Sequence, residues 1–189
     1  MKKRITKGSY GYIRYMKAFT ALRTCAYFAI SMLVYGIGIY STGSSKNLLT
    51  VVAVLGCLPS CKSAINMIMF LTAKGCSDEA REKISPYDDK LTGFYDMYFT
   101  SYQKNFAISH MALKGSAICA YTEDAKCDCN AGEKHLEQML AQDGYKNITI
   151  KIFDNMDKYI DRLSQMSSSY VEDNKNKNEI IKTLYSVSL

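Results

Sequence analysis

Two long runs of apolar residues lie close together near the amino end of the chain. The first, residues 24–41, holds 18 residues without a charge. At ~1.5 Å per residue it covers roughly 27 Å, close to the ~30 Å of a bilayer core. The second, residues 48–74, is apolar on both sides of an interruption at Pro59 and Lys62. With the short, turn-forming segment 42–47 between them, the two runs predict a transmembrane helical hairpin.

The second run leaves two interpretations open. Pro59 has no N–H to donate to Leu55, so a spanning helix should kink there. Lys62, roughly 14 Å from the far end, costs on the order of 2.5–3.5 kcal/mol unless it snorkels or pairs. A spanning helix is favoured over a re-entrant half followed by an interfacial helix at 64–73. Pro59 and Lys62 are candidate membrane-functional residues, serving a contact between helices or an ion or lipid-headgroup site, and simple snorkelling of Lys62 is the alternative.

The rest of the chain alternates between strand and helix patterns. We expect strands at 94–102, 106–113, 116–122 and 147–153, and helices at 131–143, from about 156, and at 179–187. Asn130 and Glu133 have capping-box spacing, and Gly144 occupies the expected position after the helix. Strand, helix, strand over 116–153 predicts a parallel βαβ unit. The fold class is thus a two-helix transmembrane hairpin followed by a small cytoplasmic α/β (α+β) domain with a mixed sheet.

These patterns divide the chain into four parts. Residues 1–23 form a basic amino-terminal segment, 24–74 the hairpin, 75–90 a polar linker with at most one helical turn, and 91–189 the α/β domain. A cleaved signal peptide fits the start of the chain less well, because its basic region is long and a second apolar run follows at once.

The net charge of +6 is unevenly distributed. Residues 1–73 carry nine basic residues and no acidic one, whereas 74–189 carry 15 basic and 18 acidic residues. The basic excess therefore flanks apolar sequence, which favours an integral protein of the cell membrane with both termini cytoplasmic and anionic lipid as a partner. Since the folded part is mildly acidic, a nucleic-acid partner is not expected.

Four acidic residues follow the two predicted parallel strands, namely Glu123, Asp124, Asp128 and Asp154. Ligands of open α/β sheets favour the carboxyl ends of strands, so these side chains are candidates for a ligand pocket. The alternative is that they cap helices and face solvent.

Four further residues are of types used in metal binding or acid–base chemistry. Cys127, Cys129 and His135 have C-x-C-x5-H spacing, which is atypical for zinc and lacks a second pair, so no metal is predicted. His110 lies in an apolar strand pattern and is more typical of a half-buried histidine than of a base. No phosphate-binding, hydrolase or metalloprotease motif occurs, and no cofactor is expected.

The sequence favours a membrane-anchored binding or regulatory module that binds a protein partner or a small ligand, or self-associates. One alternative is a membrane-associated enzyme with its acidic site at the strand ends. Another is a small oligomeric pore, or an accessory subunit of a membrane complex, with Lys62 facing the interior.

Overall fold

The computed structural model describes residues 5–88, 90–101, 104–169 and 176–189. They form two compact units. One contains the residues up to Tyr12 together with Lys74–Leu189, and the other is Ile13–Ala73.

The second unit is a helical hairpin. Helix α1 spans Tyr12–Thr42 and helix α2 spans Leu48–Thr72. The side chain of Asn47 caps α2 by accepting a hydrogen bond from the N–H of Thr50 at 2.8 Å. α2 continues through Pro59 as one helix, not as a half-helix followed by a separate interfacial helix. Both helices are long and apolar enough to cross a membrane.

Small residues line the seam between α1 and α2. Thr24 and Ser63 are hydrogen-bonded through their hydroxyls at 2.8 Å. A methyl group added to Gly56 would come within 3.0 Å of Ser31 Oγ. Gly38 is similarly close to Leu49, where an added Cβ would lie 2.9 Å from the leucine Cβ. These contacts step by seven residues along each helix in opposite directions, which is the antiparallel, coiled-coil-like packing that small residues permit.

The first unit is built on a four-stranded sheet. Its strands are β1 (Thr92–Thr100), β2 (Asn105–Lys114), β3 (Ala117–Tyr121) and β4 (Thr149–Phe153), in that spatial order. β1, β2 and β3 are antiparallel neighbours, and β4 is parallel to β3. The expected mixed sheet with one βαβ unit is confirmed.

Helices cover both faces of this sheet. They are α3 (Asp78–Asp88), α4 (Cys129–Gln142), α5 (Met156–Ser168) and α6 (Lys177–Val187). α4 and α6 pack on one face through apolar residues such as Leu136, Leu140 and Ile180. α3 and α5 pack on the other through Ile84, Tyr159 and Leu163 and their neighbours. The result is three layers with two separate cores.

Several local predictions need correction. The N-cap of α4 is Asp128, which accepts from the N–H of Ala131, and not Asn130. α3 has 11 residues instead of a single turn, since Ala80 and Ile84 supply an apolar stripe that packs on the sheet. β1 lies two residues earlier than expected. Residues 170–175, between α5 and α6, lie outside the described residues.

Candidate functional site

A cluster of polar side chains lies on the sheet face that α3 and α5 cover. It arises because β1 switches its alternation at Asp96, a non-glycine residue with a φ of 55° inside a strand. Tyr95 and Asp96 therefore both face this side, while Met97 packs in the opposite core. A buried side chain with such a φ stores backbone strain of order 1–3 kcal/mol, which is typical of sites under functional constraint.

β2 makes the matching switch. The residues of β1 and β2 pair in register from Thr92 opposite Leu113 to Thr100 opposite Asn105. The ladder is interrupted where Asp96 lies opposite Ser109. Ser109 contacts Glu123 and His110 contacts Tyr159, so these two consecutive residues also face α3 and α5. The switch in both strands places four polar side chains on one face, where a regular pleat would place two.

Histidine 110 is the centre of a buried hydrogen-bonded chain. Its Nδ1 lies 2.6 Å from the hydroxyl of Tyr159, and its Nε2 lies 3.4 Å from Oδ1 of Asp88. Tyr95 donates its hydroxyl hydrogen to Oδ2 of Asp88 at 2.7 Å. The Nε2–Oδ1 distance exceeds a normal hydrogen bond, and neither atom has another hydrogen-bond partner among the described residues. We infer that Nε2 carries the proton and faces the carboxylate, and that Nδ1 accepts from Tyr159.

Burial sets the charge state of this chain. It lowers the pKa of His110, against the opposing effect of Asp88, and it raises the pKa of Tyr159 well above its usual value. Burial also works to raise the pKa of Asp88, but the nearby Nε2–H of His110 and the hydrogen bond from Tyr95 outweigh it and leave that pKa below its ordinary value. The cluster is therefore a neutral imidazole and two neutral phenols around one carboxylate.

The order Tyr159, His110, Asp88 resembles the nucleophile, base and orienting acid of a catalytic triad. A nucleophile must meet its substrate, however, and Tyr159 is 0% exposed. Its ring packs against Tyr121 and Phe153, with centroids 5.4 Å and 5.9 Å away. This chain therefore orders the interior and has no substrate-accessible atom at its tyrosine end.

Gly93 leaves room for the histidine–aspartate contact. A methyl group there would lie 2.8 Å from His110 Nε2 and 3.0 Å from Asp88 Oδ1. The close approach of β1 backbone to these two atoms requires a residue without a Cβ.

Two carboxylates bind the segment that joins α2 to α3. Asp96 accepts from the N–H of Cys76 at 2.7 Å. Glu123 accepts from both the N–H and the hydroxyl of Ser77, at 2.8 Å and 2.6 Å. Burial, with Glu123 and Asp96 nearby, raises the pKa of the Cys76 thiol to about 12, so it is not a reactive thiolate. These contacts fasten segment 74–77 to the sheet.

The segment that precedes α1 is fastened to the same unit. The N–H of Tyr95 donates to the carbonyl of Gly8 at 2.8 Å, and Lys7 donates to the carbonyls of Tyr185 and Ser188. Tyr10 packs edge-on against Tyr95 and donates to Asp78. Both segments that flank the hairpin thus end on the α/β unit.

The four predicted site residues have individual roles in this fold. Glu123 holds Ser77, as described. Asp124 forms an ion pair with Lys74 at 3.5 Å, and Asp128 caps α4 and pairs with Lys104 at 2.8 Å. Asp154 is exposed. A ligand pocket formed by these four acids stays a prediction.

The cysteine and histidine cluster shows no metal geometry. Among the described residues, no group of three or more His, Cys, Asp or Glu side chains is placed to hold a metal ion. His135 packs against Phe106 with ring centroids 5.7 Å apart. Burial, followed by the charge of nearby Cys127, raises the pKa of Cys129 to about 11.

Both edges of the sheet are covered. On β4, Glu133 accepts from the outward N–H of Ile152 at 2.9 Å and Glu137 from that of Ile150 at 3.4 Å. On β1, the carbonyl of Gly8 accepts from the N–H of Tyr95 at 2.8 Å. The N–H of Leu189 donates to the carbonyl of Tyr98 at 2.7 Å. Covered edges oppose the addition of a strand from a partner chain.

Pro59 and Lys62 lie on the outer surface of the hairpin, where both are exposed. Neither belongs to the seam, which uses Ser60 and Ser63 instead. The seven-residue spacing of the seam was present in the sequence but is hidden by the uniformly apolar residues around it. Asp88, Asp96 and Tyr159 carried no sequence signal, because their roles depend on the switch in β1 and β2.

No protein-family model, no curated protein and no solved structure matches the chain.

Proposed function

We propose that this protein is an integral membrane protein whose hairpin crosses the bilayer and holds the α/β domain in the cytoplasm as a binding or regulatory module. One observation carries the proposal: most of the residues buried in the hairpin are small or carry a hydroxyl, whereas its exposed surface is apolar. Thr20, Thr24, Ser31, Ser60 and Ser63 are buried, whereas large apolar side chains such as Leu22 (72% exposed) and Leu58 (67% exposed) face outward.

This arrangement suits lipid and not water. Among the described residues, every exposed large hydrophobic side chain except Ile5 lies on α1 or α2. Full burial of one such side chain is worth about 1.5–3 kcal/mol, so an aqueous solvent would disfavour the surface strongly. In a bilayer the same surface is solvated, and small residues in the seam let the two helices pack closely.

Basic residues support the orientation. Arg14, Lys17 and Arg23 lie on the first half of α1, whereas the loop between the helices carries only Lys46. The excess of lysine and arginine on the terminal side favours a cytoplasmic amino terminus and, with two spans, a cytoplasmic α/β domain.

The α/β domain supports a binding or regulatory role more than a catalytic one. Its buried Tyr159–His110–Asp88 chain has no substrate-accessible tyrosine, and its strand-end acids Glu123 and Asp124 hold the protein's own residues. Its polar cluster binds the two segments that flank the hairpin. Such contacts within the domain suit a module that is kept in a defined state.

Labelling with a membrane-impermeant maleimide tests the topology in intact cells. The wild-type chain, with seven native cysteines, gives the baseline mass shift. We expect Ser45→Cys in the loop to add one label without lysis. The matched variant Asp154→Cys, exposed in the α/β domain, should gain its label only after lysis. Equal labelling of both variants in intact cells contradicts the proposal.

A further inference from the structure

Arg23 is held in a fixed position on the hairpin. Its Nε donates to Ser63 Oγ across the seam at 3.3 Å, and its guanidinium carbon lies 5.8 Å from the centre of the Phe19 ring. This contact uses one of the five N–H donors of the guanidinium. The donors that remain suit a planar or tetrahedral oxyanion.

Lys62 lies beside it. Ser63 contacts both Arg23 and Thr24, so the residue before Ser63 is at the same height along the hairpin. In an antiparallel pair of right-handed helices, the residues that precede two facing seam positions fall on the same side. Arg23 precedes Thr24 and Lys62 precedes Ser63, so the two cations share one side of the hairpin.

No carboxylate neutralises these two charges within the hairpin. Residues 1–73 contain no aspartate or glutamate. Two adjacent cations repel each other, and this arrangement is stable when an anion lies between them. We propose that Arg23 and Lys62 together bind the phosphate of an anionic phospholipid headgroup.

The height of the pair identifies a lipid as the source of the phosphate. On the loop side of it, residues 24–41 and 48–61 carry no charge. On the other side α1 carries Arg14 and Lys17. On α1 the pair therefore marks the end of the charge-free part, where a bilayer places its phosphates, whereas α2 continues without charge through residues 63–73. This inference rests on the proposed membrane insertion, and it gives Lys62 a role at the bilayer surface and not at its centre.

Native mass spectrometry of the full-length protein in a mild non-ionic detergent tests the site. The protein is titrated with phosphatidylglycerol or with zwitterionic phosphatidylcholine. We expect one phosphatidylglycerol to bind in preference to phosphatidylcholine. Hydrogen bonds to charged groups are strong enough that Arg23→Gln and Lys62→Gln should each weaken this binding about tenfold. Arg23→Lys should retain part of it, and Lys46→Gln, at the other end of the hairpin, should bind as the wild type does.

The outcomes separate this inference from the proposed function. Liposome flotation of the same variants reports insertion alone, and all of them should float. If they float and Arg23→Gln and Lys62→Gln bind phosphatidylglycerol like the wild type, the lipid site is wrong and the anchor stands. If the wild type does not float, the anchor itself is wrong. Displacement of the bound lipid by millimolar inorganic phosphate would assign the site to a free anion and overturn the lipid assignment.

Discussion

The hydroxyl of Tyr159 lies 2.6 Å from Nδ1 of His110 in the interior of the α/β domain, where both residues are at most 1% exposed. This bond joins α5 to the middle of β2. Because the imidazole is neutral, the bond satisfies a buried acceptor that would otherwise lack a partner.

Removal of that hydroxyl should therefore be costly. We expect Tyr159→Phe to lower the free energy of unfolding by about 1–3 kcal/mol, since the ring still fits and only the hydrogen bond is lost. The matched control is Tyr145→Phe, whose hydroxyl bonds Glu179 at 3.1 Å at an exposed position and should matter by less than about 0.5 kcal/mol. Denaturant unfolding of the detergent-solubilised protein measures both, and equal effects would contradict the assigned role.

The lowered pKa of His110 should make the free energy of unfolding depend on pH. Burial lowers the pKa of His110 below its ordinary 6.5 despite the nearby carboxylate of Asp88. The other polar side chains that face the ring are Tyr95 and Tyr159. Below pH 6.5 the unfolded chain therefore binds a proton that the folded chain does not, and stability falls as the pH falls.

Unfolding measured from pH 7.5 to 5.5 should show this loss, with a slope approaching about 1.4 kcal/mol per pH unit below pH 6.5. In His110→Gln this contribution should be absent. A slope in the variant that equals the wild-type slope would show that other groups cause the pH dependence. Asp88, whose folded pKa is lowered, acts in a separate window, because its contribution is lost only near and below its ordinary pKa of 3.8.

The two hydrogen bonds that Glu123 accepts from Ser77 should stabilise the segment that follows α2 against local opening. Glu123→Ala removes both acceptors of Ser77. Amide exchange at residues 75–80 should then be at least about tenfold faster, because a charge-assisted pair of bonds no longer opposes local opening. Asp154→Ala is the control at an exposed acid, and it should leave exchange in this segment unchanged. Protection that persists in Glu123→Ala would show that other contacts hold the segment.

The edge strand β4 offers a test of solubility. Glu133→Ala combined with Glu137→Ala leaves the outward N–H groups of Ile150 and Ile152 without their side-chain acceptors. An edge opened in this way can pair with another chain, so we expect concentration-dependent self-association by light scattering. The control variant Lys134→Ala, on the same helix, should self-associate no more than the wild type does. A double variant that shows no added association would mean that the glutamates do not protect the edge.

The sequence predicted the elements better than their ends. Strands β2, β3 and β4 and helix α4 appear where their patterns place them, because alternation and helical periodicity depend on burial alone. The cap of α4 was wrong because Asn130 and Asp128 are both good caps, and the choice depends on Lys104 and on Glu133, which bonds the N–H of Ile152 and not the helix start.

The polar cluster could not be predicted in the same way. Regular alternation places Tyr95 and Met97 on one side of β1, whereas the positive φ of Asp96 puts them on opposite sides. The positive φ of Asp96 is stabilised by a hydrogen bond from the N–H of Cys76, 20 residues away. A pattern in the local sequence cannot predict such a contact. The same limit applies to the pairing of Thr24 with Ser63, which depends on the relative position of two helices.

Membrane insertion of the hairpin is the central claim, and extraction of native membranes tests it most directly. Untagged full-length protein is expressed, and the membranes are washed with alkaline carbonate and then floated through a density gradient. The account predicts that the intact chain stays with the floating membranes through the wash and leaves them only in detergent. Recovery of the intact, full-length chain in the aqueous supernatant without detergent would contradict it.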